Sequence, residues 1–231
     1  KWLLVTCFGY LGYKNARFVR IEAHEAVTAY GREALLRAKE AAEDLGFEVL
    51  HMYVDGLWVQ RADAKKVPDF NALLDRVVAS TGLPIALDGI YRWVAVLPSR
   101  LDSRVPVPNR YFGVFQDGSL KVRGIEARRR DTPPFIAQAQ MEMLEILAKA
   151  PDVDSLPQYL PQAVAQLCRR WRELRQGRVP LEQLLTALRL SRELDQYRSP
   201  SPAARAARQL QQAGKSVRPG QRVRLLYLRG E

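Results

Sequence analysis

Asp55-Gly56 and Asp117-Gly118 each sit between short runs of strand-forming residues. EVLHMYV precedes the first and LWVQ follows it; Arg110–Gln116 precedes the second and Ser119–Ile125 follows it. An Asp-Gly pair in that setting supplies the backbone of a tight hairpin, so a fold for this chain must contain antiparallel strand pairs. Helical spacing surrounds them. From about Glu22 to Leu45, Ala26, Val27, Tyr30, Ala34, Leu35, Ala38, Ala41 and Ala42 recur on one face, with Gly46 as the stop. Pro68-Asp69 opens a helix that runs to about Ser80 and ends at Gly82–Pro84, and a strand is expected over Ile85–Leu97. From Pro133 the pattern becomes helical, over 135–149, 156–176 and 202–213. Pro151, residues 177–180 and Pro200/Pro202 are breaks; a last strand is expected in RVRLLYLRG, after the Pro219-Gly220 turn. These signals predict an α+β unit followed by a mostly helical unit with a terminal strand. The expected boundary lies near Pro106/Pro108, and no internal repeat is visible.

Length allows one large domain or two small ones, and 47% hydrophobic with 26% charged residues excludes wholesale disorder. The longest apolar run, WLLVTCFGYLGY at 2–13, is too short to span a bilayer and has no basic leader or cleavage site. The chain opens at Lys1 without a Met, so it is expected to begin inside something longer. Cys7 and Cys168 make neither a disulfide scaffold nor a zinc site, which fits a reducing, cytoplasmic setting. Charge is the informative quantity. Residues 1–100 carry 13 bases and 12 acids, whereas residues 101–231 carry 23 bases and 13 acids. The surplus in the second half points to a polyanion, and Arg supplies 28 of the 36 bases, the side chain suited to forked phosphate contacts. Genomic coding bias accounts for Arg over Lys but not for the uneven distribution.

The opening KWLLVTCFGYLGYKNARF resembles motif B of family B DNA polymerases, K-x-x-x-N-S-x-Y-G-x-x-G, with Lys1, Gly9 and Gly12 matching. The family's Asn is replaced by Val5 and its Tyr by Phe8. The resemblance implies that Lys1, Phe8 and Gly9 face an incoming nucleotide, and AHEAVTAYGREALLRAKE resembles the palm helix that follows. Motif C of the family is a hairpin, Y-x-D-T-D-G/S, whose acids hold divalent metal. That chemistry needs carboxylates at the turn, because Mg²⁺ must bridge the primer hydroxyl and the nucleotide phosphates. Here the hairpin reads His51-Met52-Tyr53-Val54-Asp55-Gly56. Aligned without gaps, Tyr53 takes the place of the first Asp and only Asp55 survives; a two-residue deletion would instead place Asp55 on that first Asp. A tyrosine is neutral near pH 7 and a poor donor to Mg²⁺. Asp55 reads equally as a residual catalytic metal ligand or as a turn residue bonded to its own backbone. A further family acid would fall near Ala86, with Asp88 two residues on, and motif A would lie ahead of Lys1.

RYFGVFQDGSLKVRGIEARRRDTPPF resembles the family's palm–thumb segment, K-K-R-Y…R-G-L-E-x-x-R-R-D, which grips the primer–template backbone. Arg110, Tyr111, Arg123, Gly124, Glu126, Arg129, Arg130 and Asp131 match, while Pro108 and Asn109 replace the leading lysines. The last stretch resembles the end of the thumb, from Leu194–Tyr197 through the Pro219-Gly220 turn to the terminal strand. On this likeness, 1–12 are the end of the fingers and motif B, 13–106 part of the palm, and 107–231 the thumb; the implied fold is α+β, an antiparallel-sheet palm with helices on one face followed by a mostly helical thumb with a terminal strand.

The residues themselves support a phosphate track of Lys121, Arg123, Arg128, Arg129 and Arg130, salt-dependent and indifferent to sequence. The competing reading is a solvated turn with one arginine paired to Asp131. Arg169, Arg170, Arg172 and Arg175 form a basic helical face that serves equally as solvated surface or DNA contact. His24, His51, Trp58, Trp93 and Cys7 read as packing residues. The resemblance thus implies a protein that clamps duplex or primer–template DNA through Arg110, Tyr111, Arg123, Gly124 and Arg128–Arg130, catalytically impaired or inactive alone and located with the nucleoid in the cytoplasm. The rival is the carboxy-terminal subunit of a split DNA polymerase, with a second chain supplying exonuclease, motif A and fingers, and Mg²⁺ held only once that chain completes the site. A third reading is a basic scaffold in a repair complex.

Overall fold

The helical spacing from Glu22 onward becomes a 24-residue helix whose alanines do the packing. A computed structural model describes residues 2–199 and 201–227, and the chain parts into two units between Ile90 and Tyr91.

The first unit runs through helix α1 (Trp2–Leu11), α2 (Ile21–Asp44), the hairpin β1 (Glu48–Tyr53) and β2 (Gly56–Gln60), and α3 (Asn71–Thr81). Ala38, Ala41 and Ala42 on α2 are small enough to let α3 and the hairpin close on them, and they share a core with Phe47, Ala64, Phe70, Leu73 and Val77. Phe47 and Phe70 meet at 5.5 Å, and the Arg61 guanidinium covers the other side of Phe47 at 4.2 Å while donating to the Leu45 carbonyl at 3.0 Å. Gly46 ends α2 with φ +76°, as the helix stop requires. Only the C-terminal half of the expected α2 face is covered: Val27 and Tyr30 remain exposed. Helix α1 buries no residue at all, and Trp2 is 82% exposed.

The second unit holds a three-stranded antiparallel sheet, β3 (Tyr91–Pro98), β4 (Pro106–Phe115) and β5 (Leu120–Arg123), with β4 central. After it come α4 (Pro134–Leu147), α5 (Leu156–Arg175), the short α6 (Leu181–Leu184), β6 (Thr186–Arg189), α7 (Pro202–Gln212) and β7 (Arg222–Leu225), with β6 and β7 pairing antiparallel. Trp93, Phe112, Val114, Val122 and Ile125 from the sheet side pack with Leu144 and Ala150. Each large apolar side chain so removed from water contributes about 2 kcal/mol. Trp93 is core as expected: its Nε1 donates to the Ala150 carbonyl at 2.8 Å and its ring meets Phe112 edge-on. A smaller cluster of Leu190, Ala203, Ala207 and Val223 holds α7 to the β6–β7 ribbon.

The α+β reading holds, and every strand pair is antiparallel. The described strands form three small sheets of two, three and two strands. The strand expected from Ile85 begins only at Tyr91, because residues 82–90 find no strand partner. Pro106 and Pro108 are not a loop: both lie in β4, ahead of the stretch Tyr111–Val114 that pairs with β5, where a missing N–H breaks no bond on that side. The first hairpin turns at Val54-Asp55, with Gly56 already opposite Tyr53, so the left-handed φ of +53° falls on Val54. Cys7 is exposed, not a core residue. Helix α1, α6 and strand β6 carried no clear signal in the sequence.

Candidate nucleic-acid interface

The arginine-rich segment is organised around one carboxylate. Strand β5 ends at Arg123, paired with Tyr111 on β4, and the chain then bends at Gly124 into a 3-10 turn, Glu126–Arg128. Gly124 has φ +63°, and a Cβ there would lie 2.0 Å from the Asn109 carbonyl oxygen. Only glycine lets β4 and the turn approach this closely. Glu126 then ties the turn down. One carboxylate oxygen accepts from Arg110 at 3.1 Å and from Arg100 at 3.4 Å; the other accepts from Gln140 on α4 at 3.2 Å. The Glu126 carbonyl accepts from the Thr132 hydroxyl at 2.7 Å and the Arg129 backbone N–H at 3.0 Å, and Gln140 Oε1 accepts from the Ala127 N–H at 2.6 Å. The Gln140 hydrogen bond, then one from its own backbone N–H and the field of Arg110 and Arg100, hold the Glu126 carboxyl below its ordinary range, so it stays ionised.

This frame sorts the predicted site residues. Arg110 is half-buried and committed to Glu126. Tyr111 is 4% exposed, so its ring belongs to the interior and cannot offer a stacking surface. Arg129 forms a two-pronged pair with Asp131, 3.0 and 2.7 Å, which raises the guanidinium's pKa and lowers the carboxyl's. Arg123, Arg128 and Arg130 are exposed, and among the described residues none forms an ion pair. The arrangement therefore presents a short cationic edge, with Arg110 and Arg129 as framework. Glu126 and Gln140 are the residues that sequence reasoning passed over. Glu126 stood in the matched pattern, but nothing local in the sequence pairs it with Arg100, 26 residues before it, or with Gln140, 14 residues after it on a helix.

The basic face expected on α5 is divided. Arg169, Arg172 and Arg175 are exposed, but Arg170 turns inward, where Glu142 on α4 and Glu173 hold it. The motif-like residues of the first unit are distributed otherwise. Lys1 lies outside the described residues, as do Leu228–Glu231, the end of the expected terminal strand. Phe8 stacks on His24 at 4.2 Å, and His24 Nδ1 is 3.1 Å from the Phe8 carbonyl, so His24 packs against Phe8. Gly9 faces open space. Asp55 is exposed at the hairpin tip, and among the described residues no cluster of three His, Cys, Asp or Glu side chains suits a metal ion. One carboxylate on a turn does not provide the oxygen donors that Mg²⁺ demands. His51 lies between Tyr53 and Trp58, its Nε2 buried without a hydrogen bond.

The order of these elements recurs in known proteins. "DNA polymerase 2" of Aeropyrum pernix is 30% identical over 230 residues, covering 100% of this chain and 26% of that protein. "DNA polymerase 2" of Saccharolobus solfataricus is 34% identical over 142 residues, 62% of this chain and 21% of that one. The structure of the family B DNA polymerase from the hyperthermophilic archaeon Pyrobaculum calidifontis aligns with a TM-score of 0.56 and 27% identity, over 97% of this chain and 27% of that chain. The chain thus spans about a quarter of the length of the relatives it matches. Residues 108–231, a stretch that contains Arg110, Glu126 and Gln140 and is more than half of the chain, match DNA polymerase family B itself, and it is to this family that the chain belongs.

Proposed function

We propose that this chain is a palm-and-thumb portion of a family B polymerase that clamps the backbone of duplex or primer–template DNA and does not synthesise DNA alone. The observation that carries this is the Glu126 frame: a carboxylate bound to Arg110, Arg100 and Gln140 fixes a turn from which Arg128 and Arg130 project, unpaired, into solvent. Guanidinium groups so placed exchange condensed counterions for phosphates and ignore base sequence. Such a protein works where DNA is, with the nucleoid in the cytoplasm. A second reading rests on Asp55, exposed at the tip of a hairpin that resembles the family's metal-binding motif C. In that reading it is the carboxy-terminal part of a split enzyme; a partner chain brings exonuclease, motif A and fingers, Lys1, Phe8 and Gly9 line the nucleotide site, and Asp55 joins the partner's carboxylates around Mg²⁺.

Fluorescence anisotropy with a labelled duplex of arbitrary sequence tests the clamp. Affinity should fall steeply with NaCl, and Arg128→Gln with Arg130→Gln should reduce the slope of log K against log[salt] by about 2, one for each phosphate left without its guanidinium. A wild-type protein whose binding does not respond to salt is not a backbone clamp.

A further inference from the structure

Helix α5 is polar where it packs and apolar where it does not. Toward α4 it turns Gln166 and Arg170, both bound to Glu142. On the side left to solvent, Leu160, Val164, Leu167 and Trp171 are 46% to 58% exposed. A helix on a protein surface ordinarily shows water the opposite pattern. At 100° per residue these four side chains fall within about 60° of arc, one straight row along about three turns. Their spacing of four, three and four residues is that of a seam that takes a facing helix. Arg172 and Arg175 stand beside the row, farther round the helix from α4, exposed and, among the described residues, without an ion pair. The one acid of α5, Glu173, is held by Arg170 and leaves that flank uniformly positive.

We propose that this seam docks an acidic amphipathic helix of another polypeptide, its apolar side chains laid along Leu160–Trp171 and its carboxylates set against Arg172 and Arg175. The docking face shares no residue with the Glu126 frame and stands apart from the clamp reading. The chemistry of the row selects the occupant. A phosphate backbone would leave Leu160, Val164 and Leu167 with nothing to bury against. A second copy would bring two sets of arginines, on chains of net charge +11 each, to one seam, and like charges so juxtaposed cost affinity. A stable interface of standard size also takes about 20–30 residues on each side, far more than this row supplies. A single helix needs less, since its anchors recur at i, i+3 or i+4, and i+7. Trp and Arg, here adjacent at 171 and 172, are the side chains that most often dominate the binding energy of such surfaces.

The test uses the full chain and a fluorescein-labelled helical peptide of about three heptads, with Leu and Ile at the seam positions and Glu beside them. One control peptide has the same composition with the apolar spacing scrambled; another carries Lys in place of Glu. Anisotropy should show the first peptide bound about tenfold tighter than either control. Leu167→Ser/Trp171→Ser should weaken the first peptide by about tenfold and leave the scrambled one unchanged. Arg172→Gln/Arg175→Gln should narrow the gap between the Glu and Lys peptides by about threefold or more. Arg128→Gln/Arg130→Gln, which tests the clamp, should leave the ratio of the first peptide to its scrambled control as it is in wild type. No binding of the first peptide, or binding that the scrambled control equals, overturns the docking face. A preference for the Lys peptide overturns the acidic partner. A DNA duplex that displaces the first peptide, and whose own affinity falls in Leu167→Ser/Trp171→Ser, gives the seam to nucleic acid instead; a dimer in sedimentation that the same variant dissolves gives it to a second copy. Should the double variant not fold, Val164→Ser alone, at a half-exposed position, reads the same loss at about threefold.

Discussion

A side chain at position 124 has nowhere to go. The Asn109 carbonyl oxygen occupies the site of its Cβ, and φ of +63° is itself costly for any residue but glycine. Gly124→Ala should therefore destabilise the second unit by about 3 kcal/mol or more, read as the shift in urea midpoint. A loss below about 1 kcal/mol would show that β4 and the turn can part without cost. The likeness to the R-G-L-E-x-x-R-R-D pattern marked Gly124 but not its reason, which lies in a carbonyl on another strand. The same holds for the arginines. That Arg129 pairs with Asp131 was legible from two residues' separation; that Arg110 is committed to Glu126 was not, because their meeting depends on the bend at Gly124. Tyr111, for which the resemblance implied a DNA contact, is buried, a fact its neighbours in the sequence do not announce.

Among the elements, α4 and α5 are joined by a polar lock. Glu142 on α4 accepts from Arg170 and Gln166 on α5 and from Gln138 on its own helix, and Arg170 also reaches Glu173 at 2.9 Å. The hydrogen bonds from Arg170 hold the Glu142 carboxyl below its ordinary range and raise the guanidinium's pKa. A carboxyl depressed in the folded state stabilises fully above its unfolded value of about 4.3 and loses that contribution as pH falls through the folded value. Glu142→Gln should cost about 1–3 kcal/mol at pH 7, and thermal midpoints measured from pH 7 to 3 should fall less on the acid side than in wild type. Parallel curves would place the lock's strength elsewhere. Helices α2, α4, α5 and α7 were legible in the sequence because long periodic patterns leave little choice. Arg170 was not, since its partner lies 28 residues away on a different helix. The four-residue β6 was hidden for a related reason: it is a strand only because β7 lies beside it. The first hairpin was legible in kind but displaced by one residue, placing the left-handed position on Val54 in spite of its branched Cβ.

For the whole molecule the governing quantity is charge. With Asp55 the one carboxylate at its hairpin tip and no metal-holding cluster among the described residues, the chain should extend no primer by itself with either Mg²⁺ or Mn²⁺. Synthesis that appears on adding a polypeptide with motif A, and that Asp55→Ala abolishes, would replace the clamp with the split enzyme. Composition announced the cationic half correctly but not its partition between the Glu126 turn and the open side of α5, which only tertiary packing decides. Helix α1 adds a consequence of its own. A net charge of +11 keeps copies of the molecule apart at low ionic strength, whereas the uncovered Trp2, Leu3 and Leu4 draw them together. Brine strong enough to strip nucleic acid from the arginines also screens that mutual repulsion, since the Debye length shrinks to about 3 Å at 1 M salt. The molecule is thus an amphiphile whose clean preparation and colloidal stability make opposite demands on the buffer.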